Sequence, residues 1–415
     1  CKVWNARPRE NETVTWSGAC RDGVADGLGT VQWLLDGENN QSYEGRMRDG
    51  KRDGRGTYLW SSGAKYEGDF RDDRYDGRGV MTYADGQRYD GDFRGGVRDG
   101  RGIHTWPSGN RYEGDFRDDK RTGRGVMEYA DNTRYEGNFI DGEFEGQGIY
   151  SWPSGQRYQG RFKNGDFNGR GVMTWANGNR YEGDFKDDKR QGRGVFIWSE
   201  GGRYEGDFVE DGVRTGRGIY TWPNGNRYEG PFKAGKMDGK GIFLWADGGR
   251  YEGDFKDDKR TGRGVTTLPT GQRYDGQFVD GEYNGRGVYT WPGGQRYEGP
   301  LKNGKFDGKG VMTWANGNRY EGDFKNDMEH GHGVFKWADG ARFEGEYRND
   351  KRNGRGVMTW PSGSHYDGQY ADDLPSGQGT YTNSEGRVFS GRWSAGCFHD
   401  GDRRAWIGIS ESECR

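Results

Sequence analysis

Cys1, Cys20, Cys397 and Cys414 are the only cysteines of this 415-residue chain, and four thiols allow three pairings. Around the last two, Cys397, His399, Asp400 and Cys414 are residue types that zinc accepts. Their spacing matches no established zinc pattern, and a disulfide beside a surface histidine accounts for the same residues. His330-Gly-His332 is the one paired-histidine spot. It stands where sister segments carry a basic residue, and it reads as a solvated turn.

Carboxylates recur at Glu44, Glu67, Glu113, Glu182, Glu205, Glu252 and Glu298. A catalytic pair needs two carboxyls in contrasting environments, with their pKa values pushed apart. Here the same surroundings recur around each, which describes a solvated grid. Gly-x-Gly runs such as Gly123-Arg-Gly125 resemble phosphate loops, but those need a strand leading into a helix, and no helical pattern follows. The segments Asp118–Arg121, Asp187–Arg190 and Asp257–Arg260 all read Asp-Asp-Lys-Arg. Their basic residues neutralise a calcium site, so they are tight loops in which Asp tolerates a left-handed backbone. With no Ser-His-Asp or Cys-His set, no catalytic, cofactor-binding or metal residue is assigned, and the chain is read as a non-enzyme.

What positions all of these residues is a repeat. An aromatic residue opens each copy, at Trp16, Tyr43, Tyr66 and so on to Phe389, seventeen openings in all. The step is 23 residues from Tyr43 to Tyr204 and again from Tyr228 to Phe389; it is 27 at the first step and 24 between Tyr204 and Tyr228. A fixed period of this length means a repeat architecture.

Each copy carries two short strand-like runs, such as Arg193-Gly-Val-Phe-Ile-Trp198 and Arg203-Tyr-Glu-Gly-Asp-Phe208. Between such runs lie turns like Pro107-Ser108-Gly109, the chemistry of a type I turn closed by a glycine bulge. That turn predicts a register in which Phe196 faces Tyr204, Gly194 faces Gly206 and Gly192 faces Phe208. In sister copies Arg78 then meets Asp92, Arg101 meets Asp115, Arg170 meets Asp184, Lys240 meets Asp254 and Lys309 meets Asp323; Gln147 meets Arg161. The opposite charges are expected to pair across the ladder.

Side chains alternate between the faces of a strand, so one face gathers a glycine row flanked by aromatic rings. Its candidate interaction residues are Tyr66, Phe70, Trp106, Tyr112, Phe116, Trp175, Tyr181, Phe185, Trp198, Tyr204, Phe208, Trp245, Tyr251, Phe255, Trp291, Tyr297, Trp314, Tyr320, Trp337 and Trp360. The other face is a grid of Arg, Glu, Asp, Val, Ile and Thr. Pro231 and Pro300 sit at position four of their copies, where a ladder hydrogen bond is expected to be missing.

Composition agrees with a thin structure. The chain has 80 glycines and 29% hydrophobic residues, too few for a large core. Its 15% aromatic content argues against disorder. The predicted fold is all-β, an elongated single-layer antiparallel sheet of tandem hairpins. At two strands per copy and about 4.8 Å per strand, the ribbon runs to roughly 160 Å. At that length only Cys1–Cys20 and Cys397–Cys414 can close within one molecule. Free thiols and bonds between molecules are the alternatives.

The 63 basic and 66 acidic residues are interleaved, which argues against non-specific nucleic-acid binding, and no nucleic-acid partner is expected. No apolar run is long enough for a transmembrane helix. Residues 1–42 read as an N-terminal cap holding a degenerate first copy, residues 43–388 as the regular array and residues 389–415 as a C-terminal cap. In the first cap, Cys1–Trp4 reads as a short strand, and residues 36–42 lengthen a turn by four residues. A chain beginning at Cys1 reads as a secreted or cell-surface product after removal of a leader, with a periplasmic location or a lipid-modified Cys1 as variants.

The run Tyr158-Gln-Gly-Arg-Phe-Lys-Asn-Gly-Asp-Phe-Asn-Gly-Arg-Gly171 resembles the MORN (membrane occupation and recognition nexus) repeat, and the resemblance covers nearly the whole chain. It implies successive hairpins in one layer, frequent dimerisation, scaffolding roles and, in some members, lipid head-group binding. The function expected is a structural scaffold that associates with itself, as a dimer or filament, through the aromatic face. Stacking of a linear polysaccharide on that face and scaffolding at a membrane surface are the alternatives. No cofactor is expected.

Overall fold

The computed structural model describes residues 1–5 and 8–414, and every regular element among them is a β-strand. The chain forms two compact units, Cys1–Gly201 with Asp207–Gly212, and Gly202–Gly206 with Val213–Arg415. Within each unit the strands pair antiparallel with their neighbours in the chain, hairpin after hairpin.

The hairpin of Arg180–Lys186 with Lys189–Ile197 shows how the sequence builds one copy. Asp187 and Asp188 make its two-residue turn, with φ of 48° and 65°. Two consecutive positive φ values give the turn type whose twist matches that of the strands it joins. Asp accepts that backbone more readily than most residues. Beyond the turn the register slips, because Phe185 pairs with Arg190 while Gly183 pairs with Gly194. Gly192, at φ 96°, absorbs the extra residues as a bulge, and the Asp184 carboxylate accepts the Arg193 N–H there at 3.2 Å.

The second turn of the copy follows the expected chemistry. Gly109 has φ of 93°; its N–H donates to the Trp106 carbonyl at 2.9 Å, and the Trp106 N–H donates to the Asn110 carbonyl at 3.0 Å. The register across this turn is the predicted one. Arg78 pairs with Asp92, Arg101 with Asp115, Gln147 with Arg161 and Arg170 with Asp184 in the first unit, and Lys240 with Asp254 and Lys309 with Asp323 in the second.

Three local expectations are corrected. Those cross-ladder charges are opposite in register, yet none of the five acid–base pairs is an ion pair among the described residues. At Asp92, Asp184, Asp254 and Asp323 the carboxylate turns instead to a bulge N–H of its own hairpin, as Asp92 does to Arg101 at 3.1 Å. In the first cap, the four additional residues lengthen the strands, not the turn. Gly27–Leu35 and Glu38–Arg48 meet at a two-residue turn of Asp36 and Gly37, and Glu12–Trp16 adds a further strand. Cys1–Trp4 forms no strand; it makes a parallel bridge, Lys2 to Val24, and a backbone hydrogen bond from the Trp4 N–H to the Gly50 carbonyl at 2.7 Å.

Prolines act as expected. Opposite Pro231 and Pro300 the partner strand is interrupted, between Lys236–Met237 and Gly239–Leu244 and between Lys305–Phe306 and Gly308–Thr313. Both caps are stapled. Cys1 is bonded to Cys20 and Cys397 to Cys414, with Cα separations of 5.6 and 5.3 Å.

Candidate functional site

The opening tyrosine is the centre of each copy. Tyr251 lies over the paired glycines Gly253 and Gly264, where a Cβ atom would come within 2.5 Å of its hydroxyl oxygen. Only bare backbone lets the ring lie this close. The phenol donates a hydrogen bond to the Asp254 carbonyl at 3.0 Å, and the same bond recurs from Tyr112 to Asp115 and from Tyr297 to Pro300. Burial pushes the Tyr251 hydroxyl up to about 12, so it stays a donor at physiological pH.

Most of these tyrosines meet two aromatic rings edge-on, usually phenylalanines. Tyr251 lies 5.1 Å from Phe255 of its own copy and 4.9 Å from Phe278 of the next. Repeated T-shaped contacts join neighbouring copies, each worth about 0.5–1.5 kcal/mol beyond area burial. Stability is therefore carried between neighbours.

The remaining face of the ring is closed by position ten of the copy. In some copies this is an aromatic residue stacked on the tyrosine, as Phe144 is on Tyr135 at 3.7 Å, Phe167 on Tyr158 at 3.9 Å and Phe306 on Tyr297 at 3.8 Å. In others it is arginine. The Arg260 guanidinium lies 5.6 Å from the Tyr251 ring and 5.4 Å from Phe278, and donates to the Gly281 carbonyl of the next turn at 2.6 Å. Arg98, Arg121, Arg190, Arg214 and Arg352 do likewise. A guanidinium and a ring are interchangeable here because each is planar and favours the ring's negative face or edge. Arg260→Phe is expected to keep stability within about 1.5 kcal/mol, as a shape-conserving swap does. Arg260→Ala should cost about 1–2 kcal/mol through the lost cation–ring contact. Thermal melts of the two variants check this, and equal losses would contradict it.

These lids change the reading of the aromatic face. Tyr66, Tyr112, Tyr181, Tyr204, Tyr251, Tyr297 and Tyr320, with Phe70, Phe116, Phe185, Phe208 and Phe255, are no more than 4% exposed. Within each unit they form a closed row, not a surface open to water. The sequence reading missed the lid because Arg121, Arg190 and Arg260 follow Asp-Asp-Lys and look like loop residues. The signal was the alternation at that position with Tyr75, Phe144, Phe167, Tyr283 and Phe306.

Trp106, Trp175 and Trp198 in the first unit, and Trp245, Trp291, Trp314, Trp337 and Trp360 in the second, form a second row within each unit and are half-buried. Trp222 belongs with them and was overlooked. Each packs on position sixteen of its own copy, as Trp291 does on Tyr289 at 4.5 Å, or of the next, as Trp314 does on Phe335 at 5.3 Å. In one copy position sixteen is His104, stacked on Trp106 at 4.2 Å. Burial first, then Arg98 and Arg121, push His104 down to about 4. It is neutral at pH 7, so its Nδ1 accepts from Arg98 at 2.9 Å and its Nε2 donates to Gln87 at 3.1 Å.

The opposite face is ionic. Apart from Glu44, which follows Ser42, the recurring glutamates pair with the basic residue two before them on the same strand, as Glu182 does with Arg180 and Glu298 with Arg296, both at 2.6 Å. The Asp-Asp-Lys-Arg loops have the left-handed backbone predicted for them at Asp118, Asp119, Asp257 and Asp258. His330 and His332 lie on the strand Met328–Lys336 and not in a turn. Ligand atoms of Cys397, His399 and Cys414 lie within 4.8 Å of one another, with Asp400 outside the group. The two sulfurs are bonded to each other, which leaves them no thiolate to offer a metal.

No curated protein sequence matches the chain. Among solved structures, the TCP domain of SAS-4 (dCPAP) from Drosophila melanogaster is 18% identical, with 38% of this chain and 85% of that one covered and a TM-score of 0.25. A mutant TCP10 domain of Danio rerio CPAP is 12% identical, covering 59% and 99%, with a TM-score of 0.20. The family model described as MORN repeat matches fifteen consecutive segments, from residues 43–65 to residues 366–386. Those segments share the boundaries of the hairpin copies described above, and the chain belongs to the MORN-repeat family.

Proposed function

We propose that this protein is a non-enzymatic structural scaffold that associates with copies of itself through its tryptophan row. One observation carries the reading: the Trp row is half-exposed, recurs at a fixed interval in each unit and lies beside a Tyr–Phe row already closed by its own lids. The indole N–H groups of Trp291, Trp314, Trp337 and Trp360 have no acceptor among the described residues. An aromatic body with an unused donor is the side-chain type enriched where proteins meet. Identical contacts repeated along a row add up to avidity that no single one supplies. Bonded cysteines in both caps support an oxidising, extracellular or cell-surface setting.

Sedimentation velocity across a wide concentration range tests the reading. The intact chain is expected to associate with rising concentration. The triple variant W291S/W314S/W337S is expected to weaken that association by about tenfold or more. A strictly monomeric protein at the highest concentration would refute the proposal.

A further inference from the structure

Arg217, Lys240, Arg263 and Arg286 stand in line on the ionic face of the second unit, one per copy, and all are exposed. Among the described residues the side chains of Arg217, Lys240 and Arg286 have neither a hydrogen bond nor an ion pair. Arg263 has only a 3.9 Å approach to Asp275. The cause lies in the register. Their cross-ladder partners are Pro231, Asp254, Gln277 and Pro300, so three of the four face no charge.

These cations form one wall of a groove of about 590 Å³ that continues past Arg263 to Arg286. Its floor is backbone, since Gly241, Gly264 and Gly287 turn their α-hydrogens to this side while tyrosines fill the other. The acidic residues opposite, Glu229, Glu252 and Glu298, are neutralised by arginines at 2.5 to 2.7 Å. Asp275 is held by Arg273 at 3.0 Å, and Asp254, opposite Lys240, accepts the Arg263 N–H at 3.3 Å as the one acid within the cation row, so the strip of glycine carries a net positive series. Copies are two strands apart, so the charges recur at about 9.6 Å.

We propose that this groove binds a linear β-1,4-linked polysaccharide of uronic acids. In such a polymer successive sugars are flipped, and carboxylates point to one edge once per disaccharide, a length close to two strand spacings. One edge would then meet one cation per copy. The C–H faces of the sugar rings lie on the glycine floor, and their hydroxyl groups reach the Glu–Arg pairs opposite. The surface is separate from the tryptophan row, so either proposal can fail alone.

The test uses the full chain and three probes by calorimetry: a β-1,4-linked glucuronate octasaccharide, the neutral octasaccharide of the same linkage, and vesicles containing phosphatidylserine. The uronate oligomer is expected to bind at low salt and to weaken steeply as salt is raised, because exposed charges are screened. The variant R217Q/K240Q/R263Q/R286Q should lose about tenfold or more in affinity, since the contacts act multivalently. Its melting temperature should be unchanged, and W291S/W314S/W337S should bind normally. Equal binding of the neutral oligomer, undiminished binding by the quadruple variant, or binding of vesicles in place of the uronate would each overturn the proposal.

Discussion

Gly264→Ala is expected to cost about 3 kcal/mol, the upper end for an added methyl group in a packed site. The new Cβ would lie 2.5 Å from Cε2 and from the hydroxyl oxygen of Tyr251. The ring has nowhere to go, because Phe255 and Phe278 hold its edges and Arg260 lies over it. The backbone at Gly264 is ordinary extended strand, so the cost is steric alone. Gly248 is the control, because at φ 95° with nothing near its added Cβ it should cost only about 1–2 kcal/mol of backbone strain. Tyr251→Ala alone should cost about 3–5 kcal/mol as a buried aromatic truncation. The double variant should then cost far less than the two losses combined, because removing the ring makes room for the methyl group. Denaturant titration followed by tryptophan fluorescence measures all four chains. Additive losses for Gly264→Ala and Tyr251→Ala would show that the close approach is not the cause.

The second large effect is a pH dependence at Glu329. This residue holds position ten of its copy, where Arg or an aromatic ring covers the tyrosine elsewhere, and it is buried. Burial first, then the charges of Asp350 and Asp373, raise its carboxyl to about 8. Tyr320 and Tyr347 are its other titratable neighbours, and both phenols are themselves pushed up by burial, so they stay neutral over this range. The folded state therefore holds the Glu329 proton more tightly than the unfolded chain does. The protonated form costs nothing below the unfolded value near 4.5, and stability then falls as pH rises towards 8. At 1.36 kcal/mol per unit the loss between pH 5 and pH 8 is roughly 3–4 kcal/mol. Glu329→Gln should flatten that dependence and be the more stable protein at pH 8. Denaturation of both chains at the two pH values decides it, and parallel curves would remove Glu329 as the cause.

The repeat, its register and the stapling of the caps were legible because each rests on local rules. A turn of Trp-Pro-Ser-Gly sets the pairing of Arg101 with Asp115 without help from anything distant. Rings over bare backbone were also legible, from the alternation of Tyr112 and Gly114. What escaped was decided by atoms outside the single hairpin. Whether Tyr112 is open or closed depends on Arg121, whose own anchor is the Gly142 carbonyl of the following copy. The expected Arg78–Asp92 and Arg170–Asp184 ion pairs failed for a similar reason: bulge N–H groups claim the two carboxylates. In the first cap, Asp36-Gly37 is a competent two-residue turn, and added strand pairing stabilises the hairpin more than a longer loop would.

Within each unit the 23-residue copy meets the one before and the one after through ring edges of the same kind, with an arginine anchored on the next turn's carbonyl at some junctions and a stacked ring at others. Excising or duplicating one whole copy within a unit would therefore rejoin surfaces that already fit. Unequal recombination between such segments would yield longer or shorter chains whose new junctions are of a kind the array already holds. The number of copies is thus the feature of this protein that inheritance can alter most freely, and selection can set its length without redesigning a single junction.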